Sequence, residues 1–190
     1  MKPEEIKDIL YKTGAILKGH FLLTSGLHSE YYIEKIKLIQ YPVYVKRLCT
    51  ELTKKIAAIE FDVVVSPAMG AIVLGYEVAK QLGKRFVFTQ RLDGVMKIRS
   101  GFDITEGDKV MIVEDVTTTG GSVFEVIDCL RQYQAVPKGV GLIVDRSGGT
   151  IDFGIPTHSL LTLSIETYKP EACPLCDKNI PISKPGSTGK

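Results

Sequence analysis

The stretch Val110-Met111-Ile112-Val113-Glu114-Asp115-Val116-Thr117-Thr118-Thr119-Gly120-Gly121-Ser122 runs from an apolar block through two acids into a Thr/Gly turn. The apolar block, bounded by Gly107-Asp108-Lys109, has the length and composition of a short buried strand. Downstream, Val123, Val126, Ile127 and Leu130 recur at helical spacing. A strand, a turn and a helix are therefore expected in succession. The first N–H groups of such a helix have no intrahelical partner, and the helix dipole adds partial positive charge, so the turn suits a phosphate. The lysine of a GxxxxGK[ST] nucleotide loop is missing, which argues against an ATP or GTP site of that kind. In its place stand Glu114 and Asp115.

Ionised carboxylates only accept hydrogen bonds, so two of them beside a phosphate-binding turn suit a ligand carrying vicinal hydroxyls next to its phosphate, such as a ribose 5-phosphate. An apolar strand, two acids and Thr-Thr-Thr-Gly-Gly-Ser resemble the 5-phosphoribosyl 1-diphosphate (PRPP) motif of the type I phosphoribosyltransferases. The competing reading is an ordinary strand-to-helix turn with Asp and Thr as caps. The length and order of the match favour function. The resemblance implies PRPP binding by Arg91, Glu114, Asp115, Val116, Thr117, Thr118, Thr119, Gly120, Gly121 and Ser122, with Glu114 and Asp115 on the ribose hydroxyls.

Outside the motif, strand, turn and helix patterns alternate. Residues 61–66 read as a buried strand turning at Pro67-Ala68-Met69-Gly70-Ala71 into an apolar helix that ends at Leu82-Gly83. Residues 85–89 and 139–146 read as further strands, residues 3–13 and 42–60 as amphipathic helices, and residues 151–153 and 159–165 as late strands. This alternation implies an α/β fold, a central mostly parallel sheet flanked by helices, with ligands at the C-terminal strand ends. It fits the type I phosphoribosyltransferase fold. One domain is expected over residues 1–190: an N-terminal helix and hood over 1–40, a core over 41–168 and a tail over 169–190.

The hood narrows the resemblance. Residues 15–17 and 20–24 read as short strands separated by a Lys18-Gly19 turn. Phe21-Leu22-Leu23-Thr24-Ser25-Gly26, followed by Ser29-Glu30-Tyr31-Tyr32, resembles the substrate-recognition region of the orotate phosphoribosyltransferases, with Thr24 where that family carries a lysine. His28, Tyr31 and Tyr32 keep polar and aromatic character nearby. Asp145-Arg146 matches a strand end whose arginine, suited to a bidentate pair with a carboxylate, contacts orotate in that family. The competing reading is a surface Arg146 paired with Asp145. Thr118 is a second candidate for contact with the base.

Pro-Ala-Met-Gly-Ala stands where many of those enzymes read Pro-Ala-Tyr-Lys-Gly, so a lysine contact to the diphosphate is missing. Residues 92–106, with glycines, cations and little apolar periodicity, read as a mobile lid. The resemblance implies that this loop reaches a neighbouring subunit's site. Arg91 matches the family arginine at its start, and Lys97 is offered as its catalytic cation, with Arg99 as a companion. Loop solubility explains both equally well.

A 190-residue chain with 44% hydrophobic residues and a net charge of +2 has room for a real core and too little basic bias to argue for nucleic acid. The N-terminus leads into an amphipathic segment, and no apolar run could span a bilayer, so a cytoplasmic protein without a membrane partner is expected. Of the four cysteines, Cys49 and Cys129 read as small buried hydrophobes. Cys173 and Cys176 form a lone Cys-x-x-Cys pair. A structural zinc site needs four ligands, so this pair is read as tail packing ahead of a redox pair or a site shared across a dimer. Cys-Pro-Leu-Cys also resembles a C-terminal extension of one bacterial branch of the family.

The resemblance implies a pentosyltransferase that joins orotate to PRPP in pyrimidine (UMP) synthesis. Mg²⁺ would be held mainly through the diphosphate, with no protein metal-ligand cluster. A homodimer sharing the lid is implied as well. A phosphoribosyltransferase for purines or another base, and a PRPP-sensing regulator without activity, are the alternatives. Asp115→Asn is expected to lose most turnover with little loss of folding, measured by steady-state kinetics and thermal unfolding on the same preparation.

Overall fold

The computed structural model describes residues 1–23 and 25–185; Thr24 and residues 186–190, which include the end of the Lys-Pro-Gly-Ser piece, lie outside the described residues. In chain order the elements are α1 (Pro3–Lys12), β1 (Ile16–Leu22), β2 (His28–Ile33), α2 (Ile36–Ile39), α3 (Pro42–Ile56), β3 (Val63–Pro67), α4 (Gly70–Leu82), β4 (Arg85–Leu92), β5 (Val95–Ile98), β6 (Lys109–Thr117), α5 (Gly121–Gln132), β7 (Val136–Asp145), β8 (Thr157–Thr162), β9 (Thr167–Tyr168) and α6 (Pro174–Asp177). A six-stranded sheet runs in the order β5-β4-β3-β6-β7-β8. All its neighbours are parallel except the β4–β5 hairpin. A separate antiparallel sheet, β1-β2-β9, forms the hood.

Alternation along β3 and β6 explains why their apolar runs are unbroken. Val64, Met111 and Val113 enter a core with α1, α3 and α4, while Val63, Val65, Val110 and Ile112 enter a second core with α5. Both faces are buried, so no position on the strand can be polar until its end. Full burial of each such side chain contributes about 1.5–3 kcal/mol. The same alternation sends Glu114 toward the α5 face and Asp115 toward the α4 face, and this division organises the site.

Three local expectations are corrected. Lys18-Gly19 is no turn: β1 is one strand, and its register against β2 slips between Lys18 and Phe21, a bulge. The segment expected as a lid begins as a hairpin, because Asp93 (φ 52°) and Gly94 (φ 79°) supply the two left-handed residues of a tight two-residue turn. Met96 and Ile98 bury their side chains beyond it. Residues 151–153 form no strand; Phe153 is buried, and Ile151 packs beside it in the α5 core. Ser183 of the tail bonds to both His20 and Leu22 of β1, and β9, just ahead of the tail, pairs with β2.

Helix α4 sits close against the sheet at Gly75, where an added Cβ would overlap Ser66 Oγ and approach Phe86 Cε2 to 2.7 Å. Both neighbours sit on strands and cannot retreat freely. Gly75→Ala is expected to cost about 1–3 kcal/mol of stability through overpacking, measured by denaturant unfolding.

Candidate functional site

After β6 ends at Thr117, the chain passes through Thr118 and Thr119 and enters α5 at Gly120, whose φ of 80° is left-handed. A Cβ at Gly120 would meet Phe153 at 2.8 Å and Phe124 at 3.0 Å, so an aromatic wall presses the turn from behind. The turn opens into a cleft of about 280 Å³ lined by Arg91, Glu114, Val116, Thr117, Thr118, Thr119, Gly120, Gly121 and Ser122. The unpaired N–H groups of the first turn of α5 and the hydroxyls of Thr117, Thr118, Thr119 and Ser122 are the donors available there. Every residue expected to hold the 5-phosphate is thus brought together.

The two acids are buried, at 4% and 3% exposure, but they face different neighbours. Glu114 forms part of the cleft, and its Oε1 accepts the Asp115 N–H at 3.0 Å. Asp115 lies against the start of α4, where Oδ1 accepts the Val116 N–H at 2.6 Å and Lys35 Nζ donates to Oδ1 at 3.1 Å. Its Oδ2 is buried with no hydrogen-bond partner among the described residues. A Cβ on Gly70 would overlap that oxygen and come within 3.2 Å of Lys35 Cδ and Cε. Gly70, at the position where the resemblance leads one to expect a lysine, therefore makes room for the Asp115 carboxylate and for Lys35 from the N-terminal part of the chain.

Lys35, just before α2, was not among the candidates; no local motif marks it, and only tertiary contact across 80 positions reveals it. Burial pushes its ammonium pKa down, but Asp115 and then Glu114 push it up and prevail. Glu114 is driven well above the usual carboxylate range, first by burial and then by the neighbouring Asp115 charge, with Lys35 opposing.

Arg91 Nε donates to Glu125 Oε2 at 2.8 Å, and Nη2 donates to Glu125 Oε1 at 3.1 Å and Ser122 Oγ at 3.3 Å. This exposed ion pair holds the guanidinium at the cleft rim. Lys97 lies on β5 opposite Gln90, exposed and outside the cleft lining. Arg99 is exposed as well, its backbone N–H donating to Phe88 O at 3.1 Å.

Arg146 is half-buried at the end of β7, its backbone N–H donating to Thr117 O at 2.8 Å, so it is tied directly to the phosphate turn. It does not pair with Asp145. That carboxylate is saturated by the Ser147 N–H at 2.8 Å, the Ser147 hydroxyl at 2.6 Å and the Gly149 N–H at 3.0 Å. Arg146 Nε is buried with no partner among the described residues, an unmet donor that an incoming anion would satisfy. Burial lowers the guanidinium pKa, with Tyr32 opposing. The adjacent hood tyrosines part company. Tyr31 packs on the main core, while the Tyr32 phenol, raised by burial and Glu34, lies in the field of Lys35 and Arg146. His28, expected near the base, is instead buried beside His20, Cys173 and Cys176. The cysteine pair is therefore more than tail packing: it is part of a four-residue group able to hold a metal.

The phosphoribosyl transferase domain family matches residues 43–152. An orotate phosphoribosyltransferase of Caldicellulosiruptor bescii is 52% identical over 178 residues, covering 94% of each chain. One from Caldanaerobacter subterraneus subsp. tengcongensis is 51% identical over 187 residues, 98% of each. The solved orotate phosphoribosyltransferase of Aeropyrum pernix superposes with a TM-score of 0.71 at 26% identity, covering 83% of this chain and 93% of that one.

The raised Glu114 pKa has a consequence for stability. The folded chain holds this proton more tightly than the unfolded chain, so stability falls as pH rises from the ordinary glutamate value of about 4.3 through the raised folded value. Glu114→Gln keeps an acceptor for the Asp115 N–H and removes that penalty. The variant is expected to have a higher melting temperature than the parent at neutral pH, a flatter pH dependence, and turnover lower by on the order of 10²-fold. Thermal melts across pH, run beside kinetics, measure both effects.

Proposed function

The chain belongs to the orotate phosphoribosyltransferases, within the phosphoribosyl transferase domain family, and we propose that the cleft at the end of β6 is where their reaction takes place. It is a pentosyltransferase that moves the 5-phosphoribosyl group of PRPP to orotate, giving orotidine 5′-phosphate and diphosphate in pyrimidine synthesis. The observation that carries the site is the link between β6 and β7. The turn that suits the 5-phosphate and the unpaired Arg146 share one backbone hydrogen bond, so sugar phosphate and base carboxylate are held at a set separation.

In this reading the α5 N-terminus and residues 117–122 hold the 5-phosphate, and Glu114 and Asp115 hold the ribose hydroxyls. As the bond from the anomeric carbon to diphosphate breaks, the ribosyl ring gains positive charge, and the two acids lower the energy of that state. Lys35 holds the Asp115 carboxylate in place through its Nζ–Oδ1 hydrogen bond. Arg146 pairs with the orotate carboxylate, with Tyr32 and Thr118 beside the base. Arg91 exchanges Glu125 for a PRPP phosphate. Lys97, outside the cleft of its own chain, would meet a diphosphate across a subunit boundary, which is the homodimer with a shared lid. The buried acids are oxygen donors of the kind Mg²⁺ accepts, so the site fits that ion; bound mainly by diphosphate oxygens, it would offset charge on the leaving group. The cell compartment in this reading is the cytoplasm.

With PRPP and Mg²⁺, the purified protein is expected to consume orotate in preference to adenine, hypoxanthine, xanthine or uracil, followed by absorbance or product chromatography. Turnover of a purine instead would reassign the base, and turnover of none would favour a regulator. Arg146→Ala removes a charge-assisted pair worth about 1.5–3 kcal/mol. It is expected to raise the KM for orotate by roughly 10- to 150-fold, leaving the KM for PRPP far less affected.

A further inference from the structure

The hood carries a second cluster away from the cleft. His20 of β1, His28 of β2, Cys173 at the N-cap of α6 and Cys176 in its single turn each direct one ligand atom to a common point, all four within 4.8 Å of one another. His20 Nε2 lies 2.9 Å from His28 Nδ1, 3.6 Å from Cys173 Sγ and 3.8 Å from Cys176 Sγ, and Cys176 Sγ lies 3.3 Å from His28 Nδ1. A tetrahedral zinc ion, with bonds of about 2.3 Å to sulfur and 2.0–2.1 Å to nitrogen, has ligand–ligand edges of roughly 3.3–3.8 Å. Three of these four spacings fall in that range, the nitrogen pair is tighter, and the remaining pairs lie within 4.8 Å, so binding an ion asks for only small shifts of the side chains.

Three further features favour an ion over a simple hydrogen-bonded group. His20 Nδ1 lies 2.7 Å from Ile180 O, the carbonyl partner that fixes a metal-binding imidazole with its Nδ1 protonated and its Nε2 lone pair turned inward. His20, His28 and Cys173 are buried, at 3%, 7% and 1% exposure, and Cys176 is half-buried, so most of the cluster is shielded from solvent. Two thiols and two imidazoles are soft and borderline donors, which select zinc over the Mg²⁺ expected at the diphosphate.

We propose that His20, His28, Cys173 and Cys176 bind one structural zinc ion that clasps the C-terminal tail to the hood. The ion closes a loop between strands near the start of the chain and a helix more than 140 positions later. The backbone around it is arranged to match. Ser183 N–H donates to His20 O at 2.8 Å, Leu22 N–H donates to Ser183 O at 2.9 Å, and β9 pairs with β2 at His28 and Ser29. Because β2 carries Tyr32 and leads on to Lys35, the clasp also steadies the hood residues that meet Arg146 and Asp115. It acts as a positioning element and takes no part in the chemistry.

The test uses the full-length protein, purified under reducing conditions without a chelator, and measures bound metal by elemental analysis. One zinc per chain is expected, together with a thiolate-to-metal charge-transfer band and tetrahedral d–d bands after replacement by Co²⁺. Stripping the metal should lower the melting temperature, and added Zn²⁺, not Mg²⁺, should restore it. Cys173→Ser/Cys176→Ser is expected to lose the metal, while Cys49→Ala keeps it. Should the double variant not fold, the stripped parent decides alone. If that reduced protein takes up neither Zn²⁺ nor Co²⁺ stoichiometrically, or if Co²⁺ binds without the sulfur band, the proposal is overturned.

Discussion

Two carboxylates stand at the end of a strand buried on both faces, where burial opposes their charge. Neither can be moved outward, because Val110, Met111, Ile112 and Val113 before them are committed to the two cores by the strand's own alternation. The surroundings are therefore built to manage the acids. Lys35 approaches Asp115 from the N-terminal part of the chain, Gly70 leaves out the side chain that would collide with the Asp115 carboxylate, and the Val116 N–H donates to it. Glu114 has fewer compensating partners, and burial drives its carboxyl well above the ordinary glutamate range. Under the proposed reaction, acids held in this way face the positive charge that develops on the sugar ring.

The same alternation divides labour within the site. Glu114 turns to the α5 face and the phosphate turn, and Asp115 to the α4 face and Lys35. In the hood, Tyr31 goes to the core and Tyr32 to the cations. Adjacent residues that look like one functional pair in sequence thus serve different surfaces. Arg146 completes the arrangement from the next strand. With Asp145 saturated by its own loop, the guanidinium is left for an external anion.

The hood and the tail form one unit. β9, the Ser183 bridge and the His/Cys cluster all join the last part of the chain to β1 and β2. A two-stranded hairpin alone has little stability in water, so a small sheet that must bring Tyr32 near Arg146 and Lys35 to Asp115 benefits from a third strand and a cross-link. The cluster supplies such a link without enlarging the core.

How much was legible in the sequence follows from the range of each interaction. The phosphate turn, the alternating strands and helices, and Arg146 at a strand end could be read from residues 110–122 and 139–146, because strand periodicity, helix N-termini and glycine turns are local physics. The hairpin at Asp93-Gly94 carried its own signal, a two-residue turn flanked by alternating Val95, Met96, Lys97 and Ile98, which the cations and glycines around it obscured. Lys35 against Asp115, the reason for Gly70, and the meeting of His20 and His28 with Cys173 and Cys176 had no local signal. Each joins segments far apart in the chain, and the spacing of ligands or charges along a sequence says nothing of their spacing in space until the sheet register and the return path of the tail are set. The sequence by itself determined the chemistry available and the strand end that gathers it; only the tertiary structure decided which distant side chains hold that chemistry in place.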